Sequence, residues 1–312
     1  MWFCLLLLGV FFCLVYLFSV VFLLCLLLLV AFLVLLERKF LGLTQIRMGP
    51  NVVGLSGVMQ TIGDGIKLLL KRFFFFGKMN FFFLMCPIIG FLLSVVHWLV
   101  MPIPGLFWYL GCSVLFTFAV SGLLVYVVLW AGWGSDSVYG LLGSVRGVSQ
   151  MISYEVVFMF FVLCFLMMYG DYSWDCFMGV GMLFGISFKF VFLLLWCIIL
   201  LAELNRVPFD LVEGESELVS GFNVEYAGFG FTLLFLAEYM NIWFVCFLTY
   251  VVFVGFFGLF WFILFGFSFV CMCVWIRCVL PRYKFTQLID LMWKGLLPCI
   301  FFFLMVMTVM MY

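Results

Sequence analysis

Polar residues in this chain gather near 37–80, 133–155, 202–226 and 276–294, and apolar blocks fill the intervals at 2–36, 81–101, 110–132, 156–170, 180–201, 227–275 and 295–311. A helix needs roughly 20 apolar residues to cross a bilayer. Each block therefore predicts one membrane helix, except 227–275, which is long enough for two that meet near residues 247–253. The pattern predicts eight spans in an all-α, polytopic membrane protein, read as a single membrane domain over residues 1–312. At about 1.5 Å per residue the first block is longer than a bilayer is thick, so its helix is expected to tilt or protrude. It has no basic leader and is far longer than a signal-peptide core of about 7–15 residues, which predicts a retained span with no import presequence.

Composition excludes a soluble fold. Of 312 residues, 69% are hydrophobic, 22% aromatic and only 9% charged, more apolar surface than a core of this size can hide. The 46 phenylalanines fit helices set in membrane lipid rather than the alternating strands of a barrel. A formal charge of zero gives no reason to expect nucleic acid. The single histidine, His97, cannot supply the paired axial ligands of a multi-haem cytochrome. The 13 cysteines lie scattered in apolar blocks without CxxC or zinc spacing, and read as small buried hydrophobes rather than metal ligands or disulfides. Gly63-Asp64-Gly65 and Gly228-Phe229-Gly230 lack the third glycine and the strand context of a dinucleotide site. The chain is expected to hold no metal and no redox centre of its own. Its preference for Phe, Leu, Val, Cys, Trp and Gly is what a T- and G-rich coding strand produces, a hint of an organellar genome.

Charge is distributed to one side. With evenly spaced spans, the four polar clusters share a face and contain every basic residue but Lys189, while the opposite loops near 102–109 and 171–179 contain only Asp171 and Asp175. By the positive-inside tendency the charged face is cytoplasmic or, in a mitochondrion, the matrix face, with both termini opposite. That face also carries most of the acids, as a docking surface or a polar chamber would.

The first cluster opens with Glu37-Arg38-Lys39, breaks at Gly49-Pro50-Asn51, and continues into an amphipathic stretch with Lys67, Lys71 and Arg72 that predicts a helix lying at the interface. A basic loop answering anionic lipid explains Lys71, Arg72 and Lys78 as well as function does, but Glu37, Arg47 and Asp64 are embedded among apolar residues. In the second cluster Arg146, Gln150 and Tyr154 recur every four residues and so share a helix face, with Glu155 heading the next span. Ser135, Asp136 and Ser137 suit a helix cap. The third cluster, with Glu238 beyond it, holds seven of the 14 acids: Glu203, Asp210, Glu213, Glu215, Glu217, Glu225 and Glu238. Arg206 is its one base, three residues from Glu203 and four from Asp210, spacings that permit local ion pairs. Pro208 stops a continuous helix. A solvated acidic loop is the plain alternative, but an ionisable group such as Glu238 inside a span costs several kcal/mol unless it faces protein or water. Arg277, Arg282, Lys284 and Lys294 of the last cluster are the available partners for those acids. Lys189 either snorkels or meets a buried acid.

The segments ERKFLGLTQIRMGPN, GDGIKLLLK, SYEV, AELNRVPFDLVEGESELVSGFNVEYAG and PRYKFTQL follow the order and spacing of the quinone-site membrane subunits of respiratory complex I, a resemblance that spans essentially the whole chain and is most specific in NRxPFDLxEGESELVSGFNxEY. It implies a multi-pass subunit of the mitochondrial inner membrane that anchors the peripheral arm, next to the peripheral-arm quinone-site subunits and the neighbouring membrane-arm subunits. Ubiquinone is the implied substrate, with FMN and iron–sulfur clusters in partner subunits only. By motif, Glu37, Arg38, Arg47, Asp64, Arg146, Arg206, Phe222, Arg277 and Arg282 fall in or near the quinone tunnel. Glu155, Glu203, Asp210, Glu213, Glu215, Glu225 and Glu238 fall on an acidic path toward the proton-pumping subunits. Quinone reduction would create a demand for protons that shifts the charge of these carboxylates, which titrate as a set.

This chain departs from the family pattern in places. Thr286 stands where the family usually has Asp, and Asp290 follows one turn later; the family's GPxG turn is Gly54-Leu55-Ser56-Gly57; and its usual acid after the lysine of the amphipathic helix is Arg72. Two other readings are a quinone-free anchor subunit of a membrane-bound hydrogenase, against which the PRYKF-type ending and organellar composition stand, and a stand-alone ion-coupled transporter, which would need an inverted repeat that the two halves do not show.

Overall fold

The computed structural model describes residues 2–71, 81–103, 110–179, 186–210, 226–255 and 258–311. Among them every regular element is helical, as expected where lipid leaves no solvent partner for an open strand edge. They fall into two compact units, residues 1–69 and 70–312.

The first unit holds α1, Trp2–Thr44, and α2, Val58–Leu70. At 43 residues α1 runs past the end expected at residue 36, so Glu37, Arg38 and Lys39 sit on its final turns. Charged residues lower apolarity but do not stop a helix. The chain leaves α1 through Gly49-Pro50-Asn51 and turns into α2 over Gly54-Leu55-Ser56-Gly57. Gly54 and Gly57 have φ of 75° and 81°, and a Cβ on Gly57 would strike the Pro50 carbonyl, so glycine is needed there for both conformation and space. Helix α2 forms over the amphipathic stretch read from the sequence and ends at Leu70, before Lys71.

The second unit contains α3 (Phe81–Trp98), α4 (Ser113–Gly134), α5 (Val138–Tyr169), α6 (Trp174–Gly179), α7 (Ile186–Glu203), α8 (Phe229–Phe253), α9 (Leu259–Val279), α10 (Phe285–Asp290) and α11 (Leu297–Met311), the last two joined by a π-helical turn at Leu291–Leu296. In the whole described chain seven helices are long and apolar enough to cross a membrane, and Phe190–Glu203 within α7 is a shorter apolar helix.

Three further boundaries differ from the sequence expectation. The cluster at 133–155 is mostly helix: Ser137 accepts a bond from the Gly140 N–H at 3.2 Å and starts α5 at Val138, which then continues to Tyr169 and ends on left-handed Gly170. The cluster at 276–294 likewise contains the end of α9 and all of α10. The long block breaks not at 247–253 but beyond Phe253, where Gly255 has a φ of 57°. In each case polarity marks where a helix leaves lipid, whereas capping residues and glycine decide where it ends.

Helix α8 is the hub. Over residues 242–253 it is largely apolar and buried on all sides, the expected state for such a segment, and α3 and α9 pack against the helix. Phe247 stacks on Phe262 at 4.7 Å and lies over Gly266 of α9, where a Cβ would meet its ring. Helix α4 is clamped between α3 and α5; its Gly132 faces the Ser144 hydroxyl with no room for a side chain. Phe161, Phe165, Phe192 and Trp196 form an aromatic cluster between α5 and α7. Large apolar residues on α9 and α11, such as Phe260 and Phe302, face outward, as lipid-facing helix surfaces do.

Candidate functional site: a carboxyl cavity at the end of α7

Helix α7 delivers Glu203 as its last residue, and the chain then turns through Leu204–Asp210. This turn is held from several sides. The buried Gln150 of α5 donates to the Phe209 carbonyl at 2.8 Å and the Ala202 carbonyl at 3.4 Å. The Tyr283 N–H donates to the Pro208 carbonyl at 3.0 Å, and its ring stacks on Phe209 at 5.5 Å. Asp210, only 6% exposed in its side chain, meets Arg282 at 3.6 Å. The last polar cluster thus supplies a cation, Arg282, to the acidic one, as expected.

Above this turn lies a cavity of about 110 Å³ whose lining includes Glu203, Asn205, Arg206, Glu238 and Asn241, large enough for water. Glu238 and Asn241 are three residues apart on α8 and so share one face. The Arg206 guanidinium sits 4.5 Å over the Tyr239 ring, a cation–π contact that holds the charge at the cavity wall. One carboxylate oxygen of Glu203 is buried without a hydrogen-bond partner among the described residues. Glu155 of α5 is close enough to act on Glu203 electrostatically. It accepts a bond from Ser121 at 2.9 Å and faces Gly122, where a Cβ would stand 3.2 Å from its oxygen. Below α8, Tyr226 donates to the Phe83 carbonyl at 2.9 Å and stacks on the Phe83 ring at 4.0 Å; burial, with Cys86 beside it, pushes its phenol well above the usual range.

In the first unit Arg38 pairs with Asp64 at 2.8 Å, and Arg38 and Arg47 line a groove with Leu41, Gly42 and Gly49. Glu37 is buried on α1. The structure thus brings together Glu203, Arg206 and Glu238 with Glu155 behind them, Asp210 with Arg282, and Arg38 with Asp64. Glu238, set apart from Arg206 by sequence distance, lines the same cavity. Arg146 is half-buried on α5 and Arg277 lies in the last turn of α9. Glu213, Glu215, Glu217, Phe222 and Glu225 lie outside the described residues, as does the Lys189 side chain. Asp290 pairs with Lys294 at 2.7 Å on its own helix, a local role that gives no sign of replacing an acid at Thr286.

The sequence singled out no part for Ser121, Asn205, Tyr239 or Asn241. Asn241 alone carried a signal, its helical spacing from Glu238.

Residues 17–308 match a family model described as NADH dehydrogenase. The chain is 43% identical over 281 residues to the NADH-ubiquinone oxidoreductase chain 1 of Apis mellifera ligustica, covering 88% of this chain and 91% of that one. The protein of the same name from Aedes aegypti is 44% identical over 284 residues, covering 88% and 90%, and that from Heterololigo bleekeri is 42% identical over 291 residues, covering 91% and 93%.

Proposed function

Since the chain belongs to the NADH dehydrogenase family, we propose that it is a membrane subunit of the respiratory NADH–ubiquinone oxidoreductase, in the mitochondrial inner membrane, and that its carboxyl cavity links quinone reduction to proton transfer. Reducing a quinone to a quinol takes up two electrons and two protons, so the reaction draws protons from groups in reach of the head group. FMN and iron–sulfur centres in partner subunits would supply the electrons; this chain supplies shape, charge and proton-holding groups. In this reading Arg38, Arg47 and Asp64 belong to the quinone passage. Arg206 holds its charge at the cavity wall. Glu155, Glu203 and Glu238 hold protons.

The observation that carries the reading is the convergence of Glu203, Glu238 and Arg206 on one cavity among apolar helices, with Glu155 acting on Glu203. Carboxyls held together among apolar helices hold protons at a cost that changes with each neighbour's charge. A charge change at one end therefore alters proton affinity along the set.

Replacing Glu238 by Gln removes an ionisable carboxyl while keeping a polar group of similar shape. In the assembled complex this variant should keep quinone reductase activity within about a factor of two and lose most membrane-potential generation, an effect of several-fold for one lost charge state. Equal loss of apparent quinone affinity and of pumping would remove Glu238 from the proton path.

A further inference from the structure

The one histidine of the chain sits directly behind the cavity. His97, at the end of α3, is 6% exposed. Its ring stacks on Phe244 of α8 at 4.2 Å and 21°, and the next residue, Trp98, donates its indole N–H to the Met240 carbonyl at 3.2 Å. These two contacts fix the imidazole plane against α8, so its ring nitrogens can only address groups in that plane. The Asn241 side chain and the Thr117 backbone of α4 are among those groups.

Asn241 is also a wall of the cavity that holds Glu203, Arg206 and Glu238. Two buried polar atoms on the neighbouring side chains, Nδ1 of His97 and Oδ1 of Asn241, have no hydrogen-bond partner among the described residues. Leaving two such atoms unsatisfied is costly, and both are satisfied at once if Nδ1 carries the proton and donates it to Oδ1. The Asn241 amide then presents its NH2 to the cavity. An NH2 donates to an ionised carboxylate, whereas the amide oxygen accepts only from a protonated one.

We propose that His97 is a positioning residue for proton transfer: through Asn241 it sets whether the cavity is offered a hydrogen-bond donor or an acceptor, and so which protonation state of the Glu203–Glu238 pair is favoured. The inference rests on the cavity being part of the proton path. It requires no proton to pass through His97 itself.

The test uses the assembled complex, with quinone reductase activity and membrane potential measured together. His97→Leu keeps apolar bulk but removes the donor. It should lower potential generated per NADH by about threefold or more, the scale of one lost hydrogen bond, with reductase activity nearly unchanged. His97→Gln, whose amide can donate to Asn241, should restore most of the coupling. Asn241→Leu should reproduce the defect, and adding His97→Leu to it should have no further effect. If His97 only fills space, His97→Leu is harmless and His97→Gln is the worse variant, which overturns the proposal, as does an additive double variant. Glu238→Gln is measured alongside. If it pumps normally, the proton-path reading falls and this inference with it; if it uncouples while His97→Leu does not, only the role of His97 is lost. Should His97→Leu fail to assemble, Asn241→Ser against His97→Gln makes the same comparison: uncoupling by the first and near-normal pumping by the second is the expected result, and the reverse overturns the proposal.

Discussion

At the junction of α1 and α2, Arg38 and Asp64 meet at 2.8 Å with their side chains 44% and 37% exposed, whereas in the second unit Glu203 buries a carboxylate oxygen with no hydrogen-bond partner among the described residues and is influenced by another acid, Glu155. The two regions treat charge in opposite ways. An exposed pair neutralises itself locally, is screened by salt and contributes about 0–1 kcal/mol. Acids gathered among apolar helices are screened less than an exposed pair, so each one's charge state depends on the others and on Arg206. The first arrangement suits steering and shaping a passage. The second suits storing and moving protons.

Breaking the support of the cavity should have the largest effect. Gln150→Leu removes the donor to the Phe209 carbonyl, while the Ala202 carbonyl keeps the Asn205 N–H at 3.2 Å, and a buried unsatisfied group costs about 1–3 kcal/mol. The amount of assembled complex and its thermal stability should both fall, and a normal melting profile would show that α5 does not hold the turn. Next is Arg206→Lys. An ammonium keeps the charge but loses the planar group that lies over Tyr239, so reductase activity and pumping should both drop, by about tenfold for a loss near 1.4 kcal/mol. A loss confined to one of the two activities would mean that Arg206 serves quinone reduction or proton transfer alone.

A smaller change is expected from Ser121→Ala, which deletes the 2.9 Å bond to Glu155. Since a net hydrogen bond contributes about 1 kcal/mol, coupling should weaken a few-fold with reductase activity intact. Asp64→Asn should matter least to stability, by at most about 1 kcal/mol. Whatever change in quinone affinity it causes should shrink at high salt; a large, salt-independent loss would mean that this pair resembles the cavity acids after all.

Much of this was legible in the chain. The Glu203–Arg206–Asp210 spacing and Pro208 marked a special turn, and one-sided bases predicted that the last cluster would meet the acidic one, as Arg282 does with Asp210. Which base of the last cluster reaches Asp210 was not legible: Arg282 lies 72 positions away in the chain, and only the packing of α5, the turn and the segment before α10 brings the two together.

By itself the sequence determined that this is an all-α membrane protein, where its apolar helices lie, and which residues are ionisable, because apolar length and charge act locally and are counted along the chain. Only the tertiary structure decided that Gln150 would hold the turn, that Gly122 and Ser121 would make a place for Glu155, that Glu238 would share a cavity with Arg206, and that His97 would stand behind Asn241. Those contacts depend on which faces of different helices meet. Helix faces in an apolar bundle are matched by close packing of side chains, and in a chain this uniformly apolar the sequence pattern does not distinguish one buried face from the next.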